Sequence, residues 1–339
     1  MQINSHTGWD QLKHVWLGDV YPKEFYSEYN PDVAEAFIEI TETTKNDLKN
    51  IETILVEHGV KVTRPSFNSV NRGQHCDTSG YLVKPPIMPR DRGLVLGNTL
   101  YHQLDESYKD PWEYALRELE GEIIVTRPGE DNNCLCGPSV VRVGRDIFVD
   151  AESHEHVMPQ VSIEFLKWAQ DYRVHMIRTG GHSDGVFCPV APGVIVTTHW
   201  KQDYKESFPN WQVFHMPEET PARNDHFGEW WVNSNVNGNG KFAEHIQKHA
   251  QNWVGNYKES QFSVNMLVLN NNTVLSISTN PRLLEFLDKL GINVLQCNFT
   301  HKGFWDGGMH CLTLDIERDG GKSNYFPQRA NHNYLDWLK

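Results

Sequence analysis

Apolar positions along the chain follow two rhythms. Val33, Phe37, Ile40, Leu48, Ile51 and Leu55 recur at helical spacing. Asn30-Pro31 ahead of them supplies an N-cap and a proline at the first helical position, and Gly59 behind them supplies a C-cap. The pattern predicts one long helix from Pro31 to His58. Val60-Lys61-Val62-Thr63 then alternates as a strand closed by Pro65, and His14-Val15-Trp16-Leu17 reads as an earlier strand. The helix–strand pair recurs: residues 162–169 lead into a strand at 173–177, and residues 282–290 lead through Gly291 into a strand at 292–295.

After each pair comes a further apolar run with polar residues at its mouth. Pro89-Arg90-Asp91 precedes Gly93-Leu94-Val95-Leu96, His182-Ser183-Asp184 precedes Val186-Phe187, and Met309-His310-Cys311 precedes Leu312-Thr313-Leu314. Val140-Val141-Arg142-Val143, behind Cys136-Gly137-Pro138-Ser139, and Val264–Leu269 complete a set of about five. A repeated α/β module puts all these mouths in one place, so Asp91, residues 136–139, His182, Asp184 and Cys311 are expected to converge. No linker divides the chain, and residues 1–339 read as a single domain. The stretch 201–241, with Trp211, Trp230 and Trp231, is long enough to be a lid or insertion.

Candidate chemistry centres on Cys311. The pair Gly307-Gly308 lets the backbone bend tightly in front of the thiol. Alone, this cysteine reads more readily as a small buried hydrophobe, the commonest fate of a free cysteine. A nucleophilic cysteine needs a histidine to take and return a proton. His310 is a poor choice if it lies on a strand, because adjacent strand side chains face opposite ways. His182 follows Gly180-Gly181 and has Asp184 two residues on, which on a strand is the same face. One thiol, one imidazole and two carboxylates suit a planar cation with an electrophilic carbon, namely a guanidinium. The plainer alternatives are a surface pair of Asp91 with Arg90 or Arg92, and a loop role for His182.

Composition narrows the partners. The balance of 31 basic to 44 acidic residues, net −13, leaves no basic cluster to follow a phosphate backbone. No apolar stretch approaches the roughly 20 residues of a membrane span, and Met1–His6 does not read as a signal peptide. Six cysteines in 339 residues make no disulfide framework, and Cys134-x-Cys136 lacks zinc-knuckle spacing. The expectation is a protein of the reducing cytoplasm without a metal, bound to neither nucleic acid nor membrane.

Several blocks in the same order resemble the amidinotransferases of the pentein superfamily, which also includes arginine deiminases. They are Trp9-Asp10-x-Leu12, Gly59–Pro65, Met88-Pro89-Arg90-Asp91 with Val95–Asn98, and Arg142–Phe148; then His182-Ser183-Asp184, Pro192–Val196, Ser263–Leu267 and Gly307–Asp315. The resemblance implies a five-bladed α/β propeller of ββαβ modules. It implies Cys311 as nucleophile toward arginine or a similar guanidine donor, His182 as acid and base, and Asp91 and Asp184 as the grip on the guanidinium. Lys201 falls where the family has an arginine that binds a substrate carboxylate. An amidino group would rest on Cys311 before passing to a primary amine, with ornithine released, no cofactor, and a homodimer by family analogy.

One position departs from the family. Cys136 stands where the family has the aspartate that partners the catalytic histidine, and Ser139 replaces a second aspartate. In a serine-protease triad, loss of that charge costs about 10⁴ in turnover. Glu130 or Asp131 supplying the charge, slower or altered chemistry, and a binding protein without turnover all stay open. So does a hydrolase in which water takes the amine's place.

Overall fold

The long helix forms where the apolar spacing places it, over Pro31–Glu57 (α1), with Asn30 accepting the Asp32 N–H as its cap. Its buried stripe of Val33, Phe37, Ile40, Leu48, Ile51 and Leu55 faces the protein. Phe37 stacks on Tyr26 and meets Phe242 and Trp253. Burial of side chains this size contributes roughly 1.5–3 kcal/mol each. The same helix grips the segment leading to Cys311: Trp305 Nε1 donates to Thr44 Oγ1 at 2.9 Å, and Thr300 N–H to Asp47 Oδ2 at 2.6 Å. The computed structural model describes residues 1–67, 82–104, 110–126, 137–150, 169, 171–177, 182–198, 204–216, 240–254 and 262–329.

The described strands make five sheets of three strands each. They are β3 (Gly93–Leu96), β4 (Thr99–Gln103) and β5 (Glu122–Thr126); β6 (Val140–Val143), β7 (Asp146–Asp150) and β8 (Arg173–Ile177); β9 (Phe187–Ala191), β10 (Val194–Thr197) and β11 (Gln212–His215); and β12 (Leu267–Asn270), β13 (Thr273–Ser276) and β14 (Asn293–Gln296). The fifth joins the chain's two ends: β15 (Thr313–Arg318), β1 (Leu12–Leu17) and β2 (Lys61–Thr63). In every sheet the middle strand is antiparallel to the first and parallel to the third. The five apolar runs with polar mouths are the five first strands, so the repeat read from the sequence is present.

Four of the five middle strands, β4, β7, β10 and β13, come from tight hairpins that the sequence pattern did not reveal, while β1 is the early strand read at His14–Leu17. Gly97, Gly144 and Gly193 sit at their turns with φ of 64°, 68° and 84°, the left-handed region that a glycine enters freely. Two predicted strands start later than expected, at Leu267 and Thr313, because Val264-Asn265 and His310-Cys311 lie in turns. The helix expected at 162–169 lies outside the described residues except for Ala169, as does most of the stretch 201–241. Among the described residues, no helix is long and apolar enough to cross a membrane.

The N-terminal segment lies along the hairpin end of the sheets. Ser5 exchanges backbone bonds with Gly97, and Gly144 N–H donates to His6 C=O. Asn4 N–H donates to Ile316 C=O, and Asn270 Nδ2 donates to Gln11 Oε1. The mouths, at the opposite ends of the first strands, stay clear of this strap.

Between mouths and hairpins lies a buried ionic hub. Asp315, on β15, is fully buried and takes Arg90 Nη2 on one oxygen at 2.5 Å. Its other oxygen takes Arg142 Nη2 at 2.5 Å, Arg318 Nε at 2.7 Å and Ser5 Oγ at 3.0 Å. The guanidiniums spend further N–H groups on the carbonyls of Thr313, Val95 and Asp10. Arg90 is therefore a core residue and not a surface partner of Asp91. Burial would raise the Asp315 carboxyl, but the pull of Arg142, Arg90 and Arg318 outweighs it and leaves the group well below its ordinary range. Burial outweighs the Asp315 charge at Arg142, whose pKa falls to about 10.

Removing one charge from such a cluster strands the others. Asp315→Asn is expected to cost about 3–5 kcal/mol in urea unfolding at neutral pH. Because the folded pKa is depressed, the wild-type contribution is complete above about pH 4 and drains as pH falls further. The gap between wild type and variant should narrow in that acid window; a constant gap would place the cost elsewhere.

Candidate active site

Three of the five mouths deliver the predicted side chains. Asp91 lies in the 3-10 turn Pro89–Arg92 before β3, and Asp184 in the one-turn helix Ser183–Val186 before β9, with His182 as that helix's N-cap residue. Cys311 ends the turn before β15. His182 and Asp184 thus do not share a strand face; a helical turn sets their relation. At the fourth mouth, Gly137-Pro138-Ser139 is buried against Asp91's turn, where a Cβ on Gly137 would run into the carbonyl oxygens of Arg90 and Gly93. Cys136, Glu130, Asp131, Lys201 and the Thr179–Gly181 segment lie outside the described residues.

Cys311 is 5% exposed. Its Sγ lies 3.5 Å from Asp184 Oδ2, an acceptor for the thiol proton. The same carboxylate oxygen is 2.7 Å from His310 Nδ1, and since a carboxylate only accepts, that nitrogen carries the proton. Asp184's other oxygen, Oδ1, is buried with no hydrogen-bond partner among the described residues. A buried, unpaired carboxylate oxygen beside a thiol is costly unless a cation completes it. The expectation that His310 points away from Cys311 fails because the two residues form a turn and not a strand, and both reach Asp184.

The fifth mouth carries a residue missed in the sequence. Asn265, 1% exposed and two positions before β12, faces Cys311 with both ends of its amide: Oδ1 accepts the Cys311 N–H at 3.0 Å and Nδ2 donates to Sγ at 3.0 Å. Its position before a first strand matches that of Asp91 and Cys311, and this shared register was the available signal. An uncharged side chain drew no notice in a search for ionisable groups.

Charges at the site are set by burial and neighbours. Burial raises the Cys311 thiol well above its ordinary range, and the Asp184 and Asp91 charges add to the effect. Burial also raises Asp91, against the pull of His182, Lys84 and Arg92. Burial would raise Asp184 too, but the hydrogen bond from His310 and the charges of His182 and Arg90 outweigh it and hold the carboxyl below its usual value. His310 is lowered by burial and by Arg90, which keeps its imidazole neutral near pH 7. The result is a protonated thiol beside the Asp184 carboxylate, with the Asp91 charge also acting on it. A cavity of about 290 Å³ lies against Asp91, bordered by Lys84, Arg92, His102 and Asp110. Among the described residues no group of His, Cys, Asp and Glu could hold a metal ion.

No protein-family model matches the chain. It is 27% identical to the mitochondrial glycine amidinotransferase of Gallus gallus, in an alignment covering 96% of this chain and 85% of the relative. It is 21% identical to the L-arginine:L-lysine amidinotransferase of Pseudomonas savastanoi pv. phaseolicola, over 95% and 96%. Among solved structures it is similar to inosamine-phosphate amidinotransferase from Streptomyces griseus, with a TM-score of 0.66 at 19% identity over 95% of this chain and 99% of that one. Whole-length likeness in sequence to enzymes named as amidinotransferases joins the five repeated sheets, which the chain shares with a solved amidinotransferase structure.

Proposed function

We propose that the protein moves the amidino group of arginine, or of a similar guanidine, to a primary amine by way of Cys311. The observation that carries this reading is the buried Oδ1 of Asp184, without a hydrogen-bond partner among the described residues, on the carboxylate beside the Cys311 sulfur. A guanidinium offers paired N–H donors in one plane and a positive charge, which is what two carboxylates around a thiol lack. Its carbon is the electrophile a thiolate attacks. The five sheets then act as blades around a common axis, a reading supported by the strap that touches them from one end.

The steps follow from the charges. An arriving guanidinium offsets Asp91 and Asp184, the two charges that hold the Cys311 proton on, so the thiol releases its proton to His182. The thiolate attacks the guanidinium carbon and forms a C–S bond. The C–N bond to the departing amine breaks, its electron pair stays on nitrogen, and His182 returns the proton there. An amidino group remains on Sγ as an isothiouronium. The acceptor amine loses a proton to His182 and attacks the same carbon, and the C–S bond breaks to regenerate the thiolate. Lys201 would hold the donor's carboxylate, and the cavity beside Asp91 has room for a small amine. No side chain in this account fixes which amine.

Incubation with arginine and a panel of amines, followed by assay of ornithine, citrulline and protein mass, tests the reading. Ornithine in proportion to added amine, and an amidino adduct on Cys311 when amine is omitted, are the expected results. Citrulline formed without amine would replace transfer by hydrolysis. Absence of both products and adduct would leave a guanidinium-binding protein. Cys311→Ser is expected to abolish the adduct, and unchanged turnover in that variant would remove Cys311 as nucleophile.

Position 136 supplies a second prediction. A thiol there cannot stabilise an imidazolium as a carboxylate does, so Cys136→Asp is expected to raise kcat by roughly tenfold or more, within the span known for such a charge. An unchanged or lower kcat would show that the histidine already has its counter-charge.

A further inference from the structure

Asn265 holds the reactive turn with four hydrogen bonds. Its backbone carbonyl accepts the His310 N–H at 3.3 Å, and its Oδ1 accepts the Cys311 N–H at 3.0 Å. Its Nδ2 donates to Cys311 Sγ at 3.0 Å and to the Asp184 carbonyl at 3.3 Å. The orientation of the amide is not arbitrary: only its oxygen can face the Cys311 N–H, so its nitrogen must face the sulfur. Gly308 makes this approach possible. A Cβ at that position would stand 2.8 Å from Asn265 Cβ and 2.9 Å from its Oδ1.

The charged groups around the sulfur do not supply this donor. Asp184 from the turn before β9 and Asp91 from the turn before β3 both oppose a thiolate. His310 spends its Nδ1 proton on Asp184, and the charge of His182 bears on the two carboxylates. An N–H bond to an anionic sulfur is stronger than the same bond to a thiol or to a sulfur that carries a substrate group. We propose that Asn265 is the positioning residue that makes Cys311 usable: clamped by the cysteine's own N–H, its amide steadies the thiolate both as nucleophile and as leaving group. The proposal deepens the amidino-transfer reading and rests on it for its catalytic meaning.

The decisive measurement is alkylation of Cys311 by iodoacetamide from about pH 7 to about pH 11.5, its midpoint fitted from the rise of rate with pH and read by mass on the Cys311 peptide, because thiolate reactivity needs no turnover. Asn265→Ala removes the donor without adding charge. Asn265→Asp keeps an oxygen for the Cys311 N–H and replaces the donor by a carboxylate oxygen. In both, the alkylation midpoint should move up by about one pH unit or more, with the larger move in the aspartate variant. Where arginine is turned over, kcat should fall at least about tenfold while KM for arginine changes little. If either variant fails to fold, Asn265→Gln, which keeps the amide but misaligns it by one methylene, takes its place with the same expected direction. Unfolding at lower urea with an unmoved alkylation midpoint would reduce Asn265 to a structural role and overturn the proposal. An absence of ornithine in the wild type would count against amidino transfer alone, since the alkylation result stands without it.

Discussion

One buried carboxylate holds three guanidiniums, and the position of the site follows from it. Asp315 lies four residues beyond Cys311 on β15, Arg90 immediately precedes Asp91, and Arg142 lies three residues beyond Ser139. Asp315, Arg90 and Arg142 therefore each sit just behind a mouth, so their ion pairs fix how deeply three first strands enter the protein. A cluster with more cations than anions is stable only because the guanidiniums also bond backbone carbonyls. The surplus positive charge is not idle. Arg90 helps to keep Asp184 ionised and His310 neutral, so the hub tunes the site from beneath as well as placing it.

Much of this was legible in the sequence, for a physical reason. First strands are buried on both faces, so each reads as a short apolar run, and a polar residue just before it stands out. That contrast yields β3, β6, β9, β12 and β15 and brings Asp91, His182, Asp184 and Cys311 together. The hub was not legible. Arg90 and Asp315 are 225 positions apart, and a charged residue beside an apolar run reads as solvated until its partner is known. The middle strands β4, β7, β10 and β13 were hidden because four or five residues beside tight turns carry too few periods to show alternation. His310 was misjudged by assuming that β15 begins before Cys311. Asn265 was missed because its chemistry is conferred by the backbone N–H it accepts.

The electrostatics also explain why the thiol is held in reserve. Without substrate, burial and two carboxylates keep Cys311 protonated and poorly reactive toward adventitious electrophiles. In the transfer proposed above, a bound cation would reverse the sign of these surroundings, so the nucleophile would form in the presence of its target. Asn265 makes this reversal sufficient, because it offers the sulfur a donor before and after the carboxylates are occupied.

Cys136 then becomes a question about counter-charges rather than about a missing residue. The charge of His182 already bears on both Asp91 and Asp184, so an imidazolium there is not left without anions. Those anions are shared, however. In the proposed transfer a guanidinium occupying them would be served first, and the histidine would be least supported during the first half-reaction. Once the amidino group is on Cys311 and the amine has left, positive charge remains next to Asp184 and the same sharing persists until the acceptor attacks. A carboxylate at position 136 would relieve this competition in both halves of the cycle. On the proposed function, a thiol there would trade that relief for dependence on how tightly Asp91 and Asp184 hold the substrate, and the cost would fall on rate more than on the capacity for the reaction.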